Sequence, residues 1–113
     1  MASIEQDIIL FKHRYHVIQF TVDGVTDLIG YGARWTISET PGSTPFTTKS
    51  TEGTSPKITI DGLKILVVID EGDLTTATAG EWYHELTIID DMSKLIQGAV
   101  GVADLRDVTI TTP

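Results

Sequence analysis

Lys57-Ile58-Thr59-Ile60-Asp61-Gly62-Leu63-Lys64-Ile65-Leu66-Val67-Val68-Ile69 reads as two β-strands joined by a tight turn. Ile58 and Ile60 alternate with Lys57 and Thr59, the period of a strand with one face in a core. Asp61-Gly62 tolerates the positive φ of a type I′ hairpin turn, whose twist matches the strands it joins. That turn sets Ile60 opposite Leu63 and gathers Ile58, Ile60, Leu63, Ile65, Val67 and Ile69 on one face. Leu66 and Val68 then point the other way, so the second strand is either central or covered on both sides.

The flanking segments keep the same period. Upstream, Ile18, Phe20 and Val22 alternate with Gln19 and Thr21 ahead of an Asp23-Gly24 turn. Ala33, Trp35 and Ile37 alternate with Arg34, Thr36 and Ser38, which places Trp35 in the core. Downstream, Asp70-Glu71-Gly72-Asp73 ends the apolar run and residues 74–79 form a corner. From Glu81 to Ile89, Trp82, His84, Leu86 and Ile88 share one face. Asp90 to Ser93 makes a turn, and Lys94 to Val102 is a strand in which Gly98 and Gly101 mark bulges or close approaches. Residues 107–111 are a candidate terminal strand. No segment has helical period: residues 7–16, the one stretch worth trying, are β-branched and aromatic. The expected fold is all-β, one antiparallel two-sheet β-sandwich over residues 1–113, immunoglobulin-like, with about seven or eight strands.

Two segments stand apart. Residues 39–56 hold three of the four prolines among Ser, Thr and Gly, and read as a long loop, either a binding loop or a plain connection. Thr44, Pro45 and Phe46 are its candidate contact residues. Residues 1–15 are an N-terminal arm or a first strand. Ile8-Ile9-Leu10-Phe11 is apolar on both faces, which suits pairing with a neighbouring subunit as well as an ordinary first strand.

Charge narrows the function. Sixteen acidic residues against eight basic ones leave a net charge of −8, so the chain lacks the basic footprint that nucleic acid requires. There are no cysteines for a disulfide framework or a thiolate metal site. The N-terminus has no basic region of the signal-peptide kind, and Ile65 to Ile69 is too short to span a bilayer, so no membrane role is expected.

Candidate chemistry is sparse. His13 and His16, three apart in a strand, would face opposite sides and could not share a metal. His84, between Trp82 and Leu86 on an inward face, reads as a structural histidine. Asp70, Glu71 and Asp73, with Asp90 and Asp91 at another turn, could supply oxygens to calcium, but their spacing matches no EF-hand and solvated turn acids are the simpler reading. Gly30 and Gly32 open no helix and so cradle no phosphate. Trp35 and Trp82 could stack on a sugar, but their alternation puts them inside with Ile60, Leu63, Ile65, Val67 and Leu86. No catalytic residue, metal or cofactor is expected.

Asp27-Leu28-Ile29-Gly30 followed by Gly32-Ala33-Arg34-Trp35-Thr36-Ile37, then a Ser/Thr-rich stretch and an acidic corner from Ile69-Asp70 to Asp73-Leu74-Thr75, resembles a known kind of small phage domain. The pattern is that of the N-terminal sandwich of the siphophage baseplate upper protein and of related stand-alone tail and head accessory proteins. Its most recognisable element, Gly-x-aromatic-x-aromatic-acid-Leu, stands here as Gly80-Glu81-Trp82-Tyr83-His84-Glu85-Leu86, with Trp82 where Tyr is usual and His84 at the second aromatic position. The resemblance runs from about His16 to Thr109. It implies a non-enzymatic virion protein, made in the host cytoplasm, that docks in several copies on a symmetric assembly of other phage structural proteins. The position implied is the tail, baseplate or neck, or alternatively the capsid surface as a decoration protein. A small carbohydrate-binding module is the remaining alternative.

Overall fold

The computed structural model describes residues 4–52 and 56–107. Among them are nine strands and no helix: β1 (Ile4–Glu5), β2 (Ile8–Phe11), β3 (His16–Thr21), β4 (Gly32–Ser38), β5 (Thr47–Ser50), β6 (Ile58–Asp61), β7 (Lys64–Ile69), β8 (Gly80–Ile89) and β9 (Leu95–Arg106). β3, β7 and β6 form one antiparallel sheet. β9, β8, β4 and β5 form the other, with β1 and β2 added along β9 in parallel. The alternating residues read as inward do meet between the sheets: Ile18, Phe20, Ile58, Ile65, Val67 and Ile69 from one, Ala33, Trp35, Ile37, Trp82, Leu86 and Ile88 from the other, all buried. β7 is central in its sheet, which accounts for the half-buried Leu66 and Val68 on its outer face.

Size is matched across the β8–β9 pair. Trp82 faces Ala103, His84 faces Gly101 and Leu86 faces Ala99, so large side chains on β8 lie beside small ones on β9. The register slips by one residue between Leu86 and Thr87, with Gly98 as the extra residue. A Cβ there would lie 2.9 Å from the Ile88 side chain. Gly101 is the close approach: a Cβ would overlap the backbone carbonyl of Gln6, in the link between β1 and β2.

Four sequence expectations need correction. In the hairpin, Asp61 pairs with Lys64 and Ile60 with Ile65, so the two-residue turn is Gly62-Leu63 rather than Asp61-Gly62. Positive φ falls on Gly62 alone (61°), the geometry of a type II′ turn, which asks for Gly in first place. Moving the pairing by two positions in total preserves the faces, so the core assignment survives, with Ile60 and Leu63 only partly buried. Residues 39–56 are not one loop, because Thr47–Ser50 pairs with Arg34–Ile37 as edge strand β5; backbone ladders form without apolar side chains. Residues 12–15 form a turn rather than a continuous strand, with His13 at a φ of 64°. Finally, the last strand runs to Arg106, beyond Val102, because β2 and β8 both pair with it there. The candidate strand at 107–111 lies, apart from Asp107, outside the described residues.

Candidate functional site

The centre of the sandwich is held by three rings. His84 on β8 is only 3% exposed, and its centroid lies 6.1 Å from those of Trp35 on β4 and Phe20 on β3, so the contact joins the two sheets. The Trp35 indole donates from Nε1 to His84 Nδ1 at 3.2 Å. With Nδ1 accepting, Nε2 carries the proton of the neutral ring and donates to the Gln6 carbonyl at 2.6 Å. Burial pushes the His84 pKa below the usual histidine value, outweighing the upward pulls of the Gln6 carbonyl and the Asp7 carboxylate. The N-terminal segment is fastened at the same place: the Gln6 amide donates to the Val100 carbonyl at 2.8 Å, and Asp7 Oδ1 accepts from the Val102 amide at 2.9 Å. His84 is structural, as its alternation implied.

Most of the exposed large apolar side chains fall into two groups, one toward either end of β9. At one end the β3–β4 and β8–β9 loops touch: a Cβ on Gly30 would be 3.4 Å from that of Asp91. These loops and the first residue of β9 hold Ile29, Met92 and Leu95 in solvent, 80%, 73% and 71% exposed. Two loops use the same device. Asp27 Oδ1 accepts from the Ile29 amide at 3.1 Å, and Asp90 Oδ1 from the Met92 amide at 2.9 Å and the Lys94 amide at 2.8 Å. Each apolar residue is followed by a left-handed one, Gly30 (φ 81°) and Ser93 (φ 63°). Between the loops lies a hollow of about 600 Å³ lined by Val25, Asp27, Tyr31 and Asp91 among others. The sequence drew attention to the acids of this end, Asp90 and Asp91, but not to its exposed apolar residues. The available signal was a large apolar residue stranded between turn formers in both Asp27-Leu28-Ile29-Gly30 and Asp90-Asp91-Met92-Ser93.

The other end holds part of the expected N-terminal site. β2 pairs with this chain's own β9, and it splits the four candidates: Leu10 is buried in the core and Ile8 packs against it, whereas Ile9 and Phe11 face out. Leu10 is therefore corrected from a contact residue to a core residue, as period two requires once one face of β2 is covered. The Phe11 ring stacks on His16 at 6.2 Å, and the Phe11 amide donates to His16 Nε2 at 3.0 Å. Ile9, Phe11, Tyr15 and Val17 are 40–57% exposed around the left-handed His13 turn. Thr44 and Pro45 are exposed at the 39–46 turn, while the Phe46 ring meets Trp82 edge-on at 5.4 Å and roofs that part of the core.

The acidic corner is occupied by lysines. Lys49, buried on β5, pairs with Asp73 at 2.5 Å and lies 4.0 Å from Asp70, which Lys57 reaches at 3.1 Å. Among the described residues no three His, Asp or Glu side chains converge as a metal site. The outer face of the larger sheet has a shallow hollow of about 750 Å³, lined by Arg34, Thr36, Tyr83, Glu85 and Val102 and rimmed by Pro41 to Pro45. Tyr83 donates to Glu81 at 3.1 Å, and that bond with the Glu81 charge pushes its pKa above the usual tyrosine value. Both tryptophans are buried, and neither offers a face to a sugar ring.

No family model and no curated protein matches the sequence. Among solved structures, the chain is similar to an extracellular domain of the voltage-gated sodium channel beta4 subunit, described in parallel homodimers that explain its role in cell–cell adhesion. That match has a TM-score of 0.51 and 9% identity, covering 96% of both chains. Murine CRIg aligns with a TM-score of 0.44 and 11% identity, over 91% of this chain and 92% of that one. The strand order, β3-β7-β6 against β9-β8-β4-β5, is that of an immunoglobulin-like sandwich with one strand added beyond β4. In antibody domains a buried Trp on the strand corresponding to β4 packs against an inter-sheet disulfide, and a Tyr two residues before the second Cys bonds to the upstream corner. Here Trp35 packs on His84 facing Phe20, and Trp82, two residues before His84, donates from Nε1 to the Thr78 carbonyl at 2.8 Å. The chain folds as an immunoglobulin-like β-sandwich whose central pin is a hydrogen-bonded aromatic cluster.

Proposed function

We propose that this sandwich is a non-enzymatic docking module, an accessory or adaptor protein of a phage tail, baseplate or neck that sits in several copies on a symmetric assembly. The observation that carries docking is the distribution of exposed apolar side chains. Of the eight large hydrophobic residues exposed among the described ones, seven lie at the two ends: Ile29, Met92 and Leu95 at one, Ile9, Phe11, Tyr15 and Val17 at the other. Scattered exposed hydrophobes need no explanation, whereas grouped ones mark interaction sites. His13 and Ser93, the two non-glycine residues with positive φ among the described residues, fall one at each end, so backbone strain is concentrated where the apolar groups are presented.

The phage placement rests on the sequence resemblance carried by residues 27–37, 69–75 and 80–86. The beta4 subunit, described as a homodimeric adhesion domain, lends support only to the class of work, protein contact by a sandwich surface. Mass spectrometry and electron microscopy of purified particles test the placement; the chain is expected in mature virions, and its absence overturns the virion reading. Particles assembled with Ile29→Ser/Met92→Ser/Leu95→Ser should lose the protein. Full incorporation of that variant overturns this end as a docking site.

A further inference from the structure

We infer that the open edge of β3 is a strand-pairing site for a second copy of this chain. The two β3 strands lie antiparallel about a two-fold axis and join the two small sheets into one. This edge runs between the docking ends above and shares only Val17 with them, and pairing there does not depend on the virion placement.

The Val22 amide donates to the Leu63 carbonyl at 2.8 Å. Successive residues of an antiparallel strand turn their backbone groups to opposite edges. His16, Ile18 and Phe20 therefore bond to β7, opposite Ile69, Val67 and Ile65. The amides and carbonyls of Val17, Gln19 and Thr21 turn the other way, where no described strand lies. Among the described residues a single bond caps that edge, from the Gln6 side-chain amide to the Gln19 carbonyl at 3.5 Å, long for such a bond. The other strand edges carry safeguards against pairing with a foreign chain. β5 is four residues long and turns Lys49 inward to Asp73. β6 is as short, begins after Lys57 and ends on Asp61. Along β9 the N-terminal segment is broken at Gln6-Asp7 into strands of two and four residues, and Lys12 follows. β3 has none of these: six residues without Lys, Arg, Asp, Glu, Pro or Gly, matched to β7 one for one with no bulge. Val17, Gln19 and Thr21 are exposed on its outer face, and half-buried Val68 and Leu66 lie beside the first two.

Such an edge is its own complement. Antiparallel pairing about a two-fold axis at Gln19 sets Gln19 opposite itself and Val17 opposite Thr21, with about six backbone hydrogen bonds. Ile18 and Phe20 stay in the core of their own copy. Charge leaves this approach open in a chain of net charge −8, because β3, β6 and β7 hold Asp61 and Lys64 alone, with Lys57 just before β6. Three further acids flank the edge. Asp7, next to Gln6, accepts through Oδ1 from the Val102 amide on the other sheet. Asp70, which follows the β7 partner of His16, pairs with Lys57 at 3.1 Å. Asp23, two residues beyond β3, falls by the two-fold register opposite Tyr15. Along the paired strands no acid faces an acid. A two-fold contact closes on itself, so it gives dimers and nothing larger. A six-residue edge buries less than the roughly 800 Å² per copy of a stable pair. The dimer is therefore weak, with a dissociation constant on the order of 0.1–1 mM, and fills where copies are held close together.

Sedimentation equilibrium of the intact chain up to about 1 mM measures the dimer, and amide hydrogen exchange locates it. Dimers and nothing larger are expected, about threefold tighter at high salt than at low, because screening relieves the repulsion between two acidic chains. As concentration rises, exchange at the Val17, Gln19 and Thr21 amides should slow about threefold, while Ile18 and Phe20, already bonded to β7, keep their rates. Gln19→Pro removes an outward N–H that the fold does not use, and should abolish the dimer with an unchanged urea midpoint. Gln19→Lys and Gln19→Glu leave the backbone as it is. Each alone should pair about threefold more weakly than wild type, and the two mixed at least as tightly, because the two-fold sets this position against itself. A wild-type chain that is monomeric at about 1 mM and high salt overturns the proposal. So does a dimer whose three amides stay unprotected, or a mixture of the Lys and Glu variants no tighter than its parts. A monomeric chain whose three amides become protected only in assembled particles gives the edge to a strand of another protein; the second copy then falls and the docking reading stands.

Discussion

Replacing His84 with Leu keeps most of the side-chain volume and removes both of its hydrogen bonds. The Trp35 indole N–H loses its acceptor in the buried core, and the Gln6 carbonyl loses its donor at a part-buried position. Each stranded buried group costs about 1–3 kcal/mol, and the added apolar burial returns roughly 1 kcal/mol. The net loss is about 3 kcal/mol, a large fraction of the roughly 5–15 kcal/mol typical of a domain. Urea unfolding at pH 7.5, followed by tryptophan fluorescence, measures it as a lowered midpoint with an unchanged slope. Trp35→Phe in the same background completes a cycle. Because the indole N–H is then already absent, the two losses should fall short of additivity by about 1 kcal/mol or more. A His84→Leu loss below about 1 kcal/mol, with additive effects, would refute the claim that this cluster joins the sheets through its hydrogen bonds.

The lowered pKa of His84 gives that interaction a pH dependence: the unfolded ring takes up a proton near pH 6.5 and the folded ring only at lower pH. Stability from the neutral ring is therefore complete above about pH 6.5 and declines as pH falls toward the folded value. Urea midpoints between pH 8 and 5.5 should show this slope, and His84→Leu should abolish it. Gly101→Ala sets a methyl group into the Gln6 carbonyl, so β1 and β2 must shift; a loss of about 2 kcal/mol and faster hydrogen exchange at the Gln6 and Val102 amides are expected, against unchanged exchange in β7. Lys49→Met leaves Asp73 without its closest cation but still accepting from the Asp70 amide at 2.7 Å. Asp73 is partly exposed, so the loss by thermal unfolding should be about 1–2 kcal/mol. Ile29→Ser/Met92→Ser should change the urea midpoint by less than about 0.5 kcal/mol equivalent, since neither side chain belongs to the core.

Local alternation made the sandwich legible. Trp35, Trp82, His84 and the β7 residues could be assigned to the core because period two in a sheet leaves few choices. Gly98 and Gly101 were recognisable as irregularities because a strand interior disfavours Gly, though only the structure shows that one is a bulge and the other lies under a backbone carbonyl. The hairpin register was misread because Asp-Gly and Gly-Leu both make two-residue turns, and shifting between them leaves every face unchanged. What could not be read was long range. β2 pairs with β9 across some ninety residues, and Trp35 meets His84 across 49; no local pattern encodes either. The docking ends were half legible. Ile9 and Phe11 stood out by their apolar neighbours, whereas Ile29 and Met92 sat inside turn sequences, where a single hydrophobe attracts no notice.

The parallel pairing of the N-terminal segment with β9 has a mechanical consequence. Ile4 lies beside Ala99 and Phe11 beside Arg106, so tension applied between residues 4 and 106 slides β1 and β2 lengthwise against β9. In that shear geometry the Gln6–Val100, Asp7–Val102 and His84–Gln6 bonds share the load and must fail together, whereas a peeled pair would release them one by one. Resistance to force is then set by the unfolding barrier at this seam rather than by overall stability. Any tension that enters at the N-terminal segment and leaves along β9 passes through the seam that His84 holds closed.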